Sequence, residues 1–115
     1  MLPAANRMRD AADFTHTTRR GTKVTRGSAV VYVDLTAEAA APRVGLVVSK
    51  AVGNSVIRHR VSRRIRGIMR PLLSTLPEGT RVVVRALPGS ATDTGLTQHI
   101  RAAVAAGLAR REVTS

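Results

Sequence analysis

Several residue types are absent from this chain of 115 residues, or nearly so. It has no cysteine, which excludes disulfide bridges, thiolate zinc sites and iron–sulfur clusters. Its two aromatic residues are Phe14 and Tyr32, so the core must consist mainly of valine, leucine, isoleucine and alanine. No apolar run approaches the roughly eighteen residues of a membrane span, and the N-terminus lacks the apolar centre of a signal peptide. We therefore expect a soluble protein of the cytoplasm.

Acidic residues are also scarce, with seven against nineteen lysines and arginines, and none lies between Glu38 and Glu78. The seven are scattered over predicted turns and helix starts, without the spacing of a metal site or an acid–base pair. The three histidines lack a zinc-binding spacing. The sequence thus predicts no catalytic residue and no metal ligand in this chain.

The net charge of +12 indicates a polyanionic partner, either nucleic acid or an anionic membrane. Of the nineteen basic residues only Lys23 and Lys50 are lysines. Arginine contacts phosphate through two nitrogens and stacks on bases, which favours RNA. A GC-rich genome would also favour arginine over lysine, but it does not explain the net charge. We expect RNA as the partner, and neither DNA nor a membrane.

The most basic segment is predicted to be a long helix over Val52–Leu73, with an end near Arg70 as the alternative because Pro71 follows. Apolar residues at spacings of three and four form one stripe, and basic residues form the opposite stripe. One face would pack on a core while the other meets a polyanion. A solvated charged face is the alternative, but such faces usually mix both signs of charge. The basic stripe consists of His59, Arg63, Arg66 and Arg70.

The remaining pattern predicts an α+β protein with the element order αβββαβα, a two-layer sandwich with one four-stranded sheet. We take residues 1–115 as a single RNA-binding domain, with 1–8 and 112–115 as candidates for disorder. Charged caps and β-branched runs predict the other elements. These are a helix over Asp10–Arg20, strands over Lys23–Arg26, Ala29–Leu35, Arg43–Lys50 and Thr80–Leu87, and a last helix capped by Thr94.

The segment Ser49–Asn54 joins a predicted strand to the basic helix. Helix N-termini bind phosphate through free backbone amides, and Lys50 would add a positive charge there. An ordinary strand-to-helix turn, capped by Asn54, is the other interpretation. The sequence leaves both open.

The residues from Arg43 to Arg66 read RVGLVVSKAVGNSVIRHRVSRRIR. This segment resembles the pattern R-x-G-L-x-V-S-K-K-x-G-N-A-V-x-R-N-R-x-K-R-x-x-R of the protein subunit of bacterial ribonuclease P, in an actinobacterial style. Weaker agreement covers Asp13-Phe14, the strand around Tyr32 and the strand at Val82–Arg85. The resemblance therefore extends over nearly the whole chain.

The resemblance implies a left-handed βαβ crossover through the basic helix. It also implies that the protein assists a catalytic RNA, which hydrolyses precursor tRNA with Mg²⁺ held mainly by that RNA, to remove the 5′ leader and give the mature 5′ end. The protein alone would be inactive. The residues implied to contact the catalytic RNA are Lys50, Asn54, Arg58, His59, Arg60, Arg63, Arg64, Arg66 and Arg70. Those implied to line a cleft for the leader are Phe14, Tyr32 and Arg20.

Three of the departures from the family pattern bear on RNA binding. His59 replaces an asparagine, Ser62 replaces a lysine, and Thr18 replaces a second aromatic one turn after Phe14. A single ring should weaken stacking on the leader. Two other functions stay open at this point: a ribosomal protein of similar topology that binds ribosomal RNA, and a protein-only hydrolase.

Overall fold

The computed structural model of the chain describes residues 2–114. Within them the element order is αβββαβα, interrupted by short 3-10 turns, which confirms the predicted fold class. The elements are α1 (Ala11–Arg20), β1 (Thr22–Arg26), β2 (Ala29–Leu35), β3 (Arg43–Val48), α2 (Ser55–Met69), β4 (Thr80–Ala86) and α3 (Leu96–Thr114). None of these helices is long and apolar enough to span a membrane.

The four strands form one sheet in the order β1-β2-β4-β3. β2 pairs antiparallel with both β1 and β4, whereas β3 runs parallel to β4. A parallel neighbour requires a crossover connection, and α2 provides it between β3 and β4. The basic helix is therefore fixed to the sheet by the topology itself.

Alternate residues of each strand face opposite sides of the sheet. One side, which includes Val31 of β2 and Val82 of β4, belongs to the main core together with α2 and α3. The predicted apolar stripe of α2 is confirmed, since Val61, Ile65 and Ile68 are buried in that core. The other side carries Tyr32 and Val83, and α1 packs across it.

The start of α2 differs from the prediction, whereas its end lies next to Arg70, as expected from Pro71. The helix starts at Ser55 because the Asn54 side chain caps it, with Oδ1 accepting from the Ile57 N–H at 3.0 Å. Gly53 precedes this cap at φ +156°, a conformation that favours glycine. The helix ends at Met69, and a 3-10 turn over Arg70–Thr75 contains the proline. Likewise β3 ends at Val48, because Lys50–Val52 form another 3-10 turn.

The terminal segments named as candidates for disorder lie mostly within the described residues. Leu2 is 2% exposed and belongs to the main core. Met8 is buried too, and its backbone N–H donates to the carbonyl of Val44 at 3.0 Å. The chain from residue 112 to 114 continues α3. Met1 and Ser115 lie outside the described residues.

The start of α3 is held by Asp93 and not, as predicted, by Thr94. One carboxylate oxygen of Asp93 accepts from the Gly95 N–H at 2.8 Å. The other accepts from the Ser28 hydroxyl at 2.6 Å and lies 3.1 Å from His99 Nδ1. This cluster, the Asp93 clasp, ties the turn between β1 and β2 to α3. Ser28 and His99 both bind the carboxylate rather than each other, so the three residues are not a nucleophilic triad.

The Asp93 clasp should make stability sensitive to acid. The Ser28 hydroxyl bond is the main cause that lowers the pKa of Asp93 to about 2, with Gly95 and His99 contributing. Because this pKa lies below that of an unfolded chain, the stabilisation is present above about pH 4 and is lost as the pH falls towards 2. We expect Ser28→Ala to unfold at a lower temperature than the wild type at pH 7, with the difference shrinking towards pH 2. Thermal unfolding, followed by circular dichroism at each pH, measures the unfolding temperatures of both proteins and the difference between them.

The control for this prediction is Ser74→Ala. Ser74 is exposed, and its hydroxyl reaches only the carbonyl of Pro71 in its own turn, at 3.4 Å. The unfolding temperature of Ser74→Ala should match that of the wild type at every pH from 7 to 2. A difference between Ser28→Ala and wild type that persists unchanged at pH 2 would contradict the role of the ionised carboxylate.

Candidate RNA interface

The side of α2 that faces away from the core is basic, as predicted. His59, Arg60 and Arg63 are exposed, while Arg64 and Arg66 are half-buried at the flanks. Buried residues of α2 recur at helical spacing, which turns the arginines to solvent. The helix therefore presents a continuous cationic surface, here called the α2 surface. It consists of Arg58, His59, Arg60, Arg63, Arg64 and Arg66.

A groove of about 470 Å³ runs along one flank of the α2 surface. His59 and three arginines line it, and so does Val56, whose side chain is 64% exposed. A phosphate backbone can bind arginine guanidinium groups in such a groove while a sugar or base contacts the apolar side chain. The sequence prediction brought these arginines together but did not anticipate the exposed valine. The three arginines are Arg60, Arg63 and Arg64.

The other residues predicted to contact the catalytic RNA lie at the two ends of α2. Lys50 is exposed in the 3-10 turn before the helix, and Arg70 is exposed just after it. Asn54 uses its side-chain oxygen for the helix cap, so the strand-to-helix turn is in part an ordinary capped turn. Arg58 is half-buried, and its Nε has no hydrogen-bond partner among the described residues.

Counter-charges lie elsewhere in the molecule. Among residues 2–114, no side chain of α2 takes part in an ion pair. The carboxylates of Asp13, Asp34 and Glu38 instead bind arginines of β3, α3 and β4, at distances of 3.2, 2.8 and 2.6 Å. These ion pairs lie at one end of the strands, where β2 ends and β3 and β4 begin. We call this end of the sheet the acidic edge. The α2 surface is thus left without internal neutralisation.

The two aromatic residues lie on the same side of the sheet. Phe14 packs on Gly45 of β3, where a methyl group would lie 2.5 Å from two ring carbons. Gly45 pairs with Val83, which pairs with Tyr32, so the rings stand over one row of the sheet, two strands apart. Two strand spacings amount to roughly 10 Å. Both side chains are half-buried, so part of each ring faces solvent.

Thr18 and Arg20 of α1 bear on the cleft predicted to hold the leader. Thr18, which replaces an aromatic residue of the family pattern, donates its hydroxyl to the carbonyls of Phe14 and Thr15 at 3.0 and 3.1 Å. It therefore offers no stacking surface. Arg20 is exposed one turn after His16, which lies 3.6 Å from the buried Asp34 at the acidic edge.

Two cations on the open side of the sheet were missed by the sequence analysis. Arg85 is exposed in β4 and pairs with Val30 and Val47, one row away from Tyr32. Lys23 is exposed and pairs directly with Tyr32. Strand alternation was the signal that could have found them, because Arg81, Val83 and Arg85 must share one side of β4.

The described carboxylates do not fit a magnesium site. No group of three or more histidine, aspartate or glutamate side chains within residues 2–114 is arranged to hold a metal ion. Asp13, Asp34 and Glu38 already bind arginine, and Asp93 accepts from Ser28. Oxygen ligands engaged in this way are not free to replace the water of a hard cation.

The chain is similar to known proteins in both sequence and structure. The family model described as Ribonuclease P matches residues 2–107. The Ribonuclease P protein component of Mycolicibacterium paratuberculosis is 50% identical over 96 residues, which cover 80% of this chain and 81% of that protein. The protein of the same name from Mycobacterium sp. (strain KMS) is 42% identical over 114 residues, covering 98% and 97%.

The fold is shared with solved structures as well. The RNase P protein of Staphylococcus aureus superposes with a TM-score of 0.72 at 27% identity, covering 96% of this chain and 99% of that one. These matches favour the ribonuclease P interpretation over a ribosomal protein or a protein-only hydrolase. By sequence and by fold, the chain belongs to the ribonuclease P family, whose protein is the accessory component of a ribonucleoprotein endoribonuclease that acts in tRNA 5′-end processing.

Proposed function

We propose that the α2 surface, with Lys50, Asn54 and Arg70 at its ends, binds the catalytic RNA of ribonuclease P. The observation that carries this proposal is that, within the described part of the chain, no side chain of Ser55–Met69 forms an ion pair, whereas Asp13, Asp34 and Glu38 bind arginines of other elements. Like charges held this close repel one another unless a polyanion lies over them. A folded RNA supplies that polyanion and releases its own counterions on binding.

The open side of the sheet beside α1 binds the single-stranded 5′ leader of precursor tRNA in this proposal. Phe14 and Tyr32 offer partly exposed rings on which unpaired bases can stack. Arg85 and Lys23 flank them with positive charge for the leader phosphates. Arg20, at the end of α1, meets the leader only where it extends past the acidic edge.

Hydrolysis itself is assigned to the RNA partner. Within residues 2–114 the carboxylates form no group that could hold a metal ion, which supports the proposal that the catalytic RNA binds most of the Mg²⁺, where it would activate water and stabilise the leaving oxygen. The protein lowers phosphate repulsion within that RNA and holds the leader. We place this work in the cytoplasm, where tRNA precursors are made.

The test is cleavage of a 5′-labelled precursor tRNA by the cognate catalytic RNA at low Mg²⁺, with and without this protein. We expect strong stimulation when the protein is present, because its arginines replace part of the Mg²⁺ that screens RNA phosphates. The protein alone should release no leader. Unchanged cleavage at every Mg²⁺ concentration would contradict the proposed function.

A further inference from the structure

A groove of about 310 Å³ lies between α3 and the 3-10 turn that follows α2, and it shares no lining residue with the groove of the α2 surface. Apolar side chains from both elements form it. Leu76 and Val104 are buried, whereas Leu72 and Leu108 are half-buried. We call it the α3 groove. Its other lining residues are Thr75, Arg101, Ala105, Ala109 and Glu112.

The α3 residues that line this groove form one stripe along the helix, because they recur at spacings of three and four. Arg101 begins the stripe and Glu112 ends it, roughly 16 Å further along the helix axis. Ala105 and Ala109 lie between them and are exposed. A second helix can therefore approach the stripe closely and contact both charges at once.

The charges of the α3 groove differ from those of the α2 surface. Its charged lining residues are one arginine and one glutamate, Arg101 and Glu112, whereas the groove of the α2 surface is lined by three arginines. A phosphate chain binds where cations cluster, and a carboxylate repels it. The α3 groove therefore suits an apolar protein surface that carries both signs of charge better than it suits RNA.

A second copy of this chain presents such a surface. When two α3 helices pack antiparallel about a two-fold axis, the start of each stripe lies opposite the end of the other. Arg101 of one copy then faces Glu112 of the other, and symmetry makes the same contact twice. Between these contacts Ala105 faces Leu108, so a small side chain meets a large one. The stripe is therefore complementary to itself in charge and in size.

The net charge of +12 opposes most contacts between two copies. Repulsion between exposed charges falls off over about 10 Å at 0.1 M salt, so the arginines closest to an interface matter most. At the α3 groove the two signs balance, and no arginine of the α2 surface lines it. Two copies joined there keep both α2 surfaces uncovered.

We propose that the chain forms a homodimer in which α3 of each copy packs antiparallel along the α3 groove of the other. Leu72 and Leu108 supply the apolar contact, and the two pairs of Arg101 with Glu112 fix the antiparallel direction. Because one helix face is a small interface, the association is weak and depends on protein concentration. The inference goes beyond the proposed function and does not depend on it, since none of the residues proposed to bind RNA lines this groove.

The experiment is sedimentation equilibrium of the full chain without RNA, over a wide range of protein concentration and at a salt concentration that screens the net charge. We expect a monomer–dimer equilibrium for the wild type. Arg101→Glu and Glu112→Arg each place like charges opposite one another twice per dimer, so each should weaken the association about tenfold or more. The double variant restores opposite charges and should return the association to the wild-type value.

Two further variants separate a defined contact from a general effect of charge. Arg19→Glu makes the same change of charge on α1, outside the α3 groove, and should dimerise at least as well as the wild type. Ala105→Glu places a charge at an exposed position in the middle of the stripe and should abolish the dimer. Its unfolding temperature should stay that of the wild type, because glutamate is a good helix former.

Three results would overturn the inference: a wild-type chain that stays monomeric at every concentration, a dimer that Ala105→Glu leaves intact, or a double variant that associates no better than the single ones. The first would leave the α3 groove to a different protein. If Ala105→Glu weakens binding of the catalytic RNA and not self-association, the groove contacts RNA and the inference is wrong. A failure of the proposed function is distinct, because it would leave the monomer–dimer equilibrium unchanged.

Discussion

Replacing Arg60 and Arg63 together by alanine is expected to weaken binding of the catalytic RNA by about a hundredfold or more at low salt. Both side chains are exposed on the groove of the α2 surface, and neither has an ion-pair partner among the described residues. Each lost phosphate contact should also reduce the slope of log K against log salt by roughly 0.7 to 0.9. Filter binding or fluorescence titration over a range of salt concentrations measures both the affinity and the slope.

The control for this pair is Arg19→Ala combined with Arg101→Ala. These arginines are also exposed on helices, and their removal lowers the net charge by the same amount. Because they lie on α1 and α3, we expect only a small change in affinity. An equal loss in both double variants would mean that the RNA responds to net charge alone, which would contradict a defined interface on α2.

Ile65→Ala is expected to have the largest effect on stability. Ile65 is 0% exposed and lies at the centre of the buried stripe that fixes α2 on the sheet. Truncation of a buried isoleucine to alanine typically costs about 2–5 kcal/mol, out of a total stability of roughly 5–15 kcal/mol. The free energy of unfolding, measured by urea denaturation, should fall by about 3 kcal/mol.

Val56→Ala is the matched control on the same helix. Its side chain is 64% exposed and lines the groove of the α2 surface. Removing an exposed apolar group should change the free energy of unfolding by less than about 0.5 kcal/mol. Comparable losses in both variants would show that α2 does not pack through the predicted stripe.

The parts of the fold that depend on periodicity could be predicted from the sequence. The alternation of apolar and basic residues in α2 indicated both its buried side and its exposed side, and Ile65 and Arg63 lie where the spacing placed them. The β-branched runs likewise located β2 and β4. The predicted ends of the helices and strands were less accurate. They depend on single contacts, such as the Asn54 cap or the Asp93 carboxylate, that a periodic pattern does not reveal.

The candidate site was only partly predictable, because it combines residues that are distant in sequence. That Phe14 lies over Gly45, near Arg66 and Leu46, follows from the way α1 and α2 pack against β3. Arg85 was missed because its role depends on the pairing of β4 with β2 and β3. The resemblance to the family supplied the residues expected to contact the leader, and their role stays a prediction.

The positions of the acidic edge and the α2 surface give the molecule an uneven distribution of charge. Asp13, Asp34 and Glu38 neutralise arginines where β2 ends, while the positively charged α2 surface lies on a helix that begins at the opposite end of the strands. Such an arrangement is an electric dipole, and the field of an RNA exerts a torque on it before the surfaces touch. Diffusional encounters would therefore tend to begin with α2 forward, so fewer collisions would be wasted in the wrong orientation. The ion pairs of the sheet would in this way contribute to how fast the ribonucleoprotein assembles, although they lie away from the surface that binds.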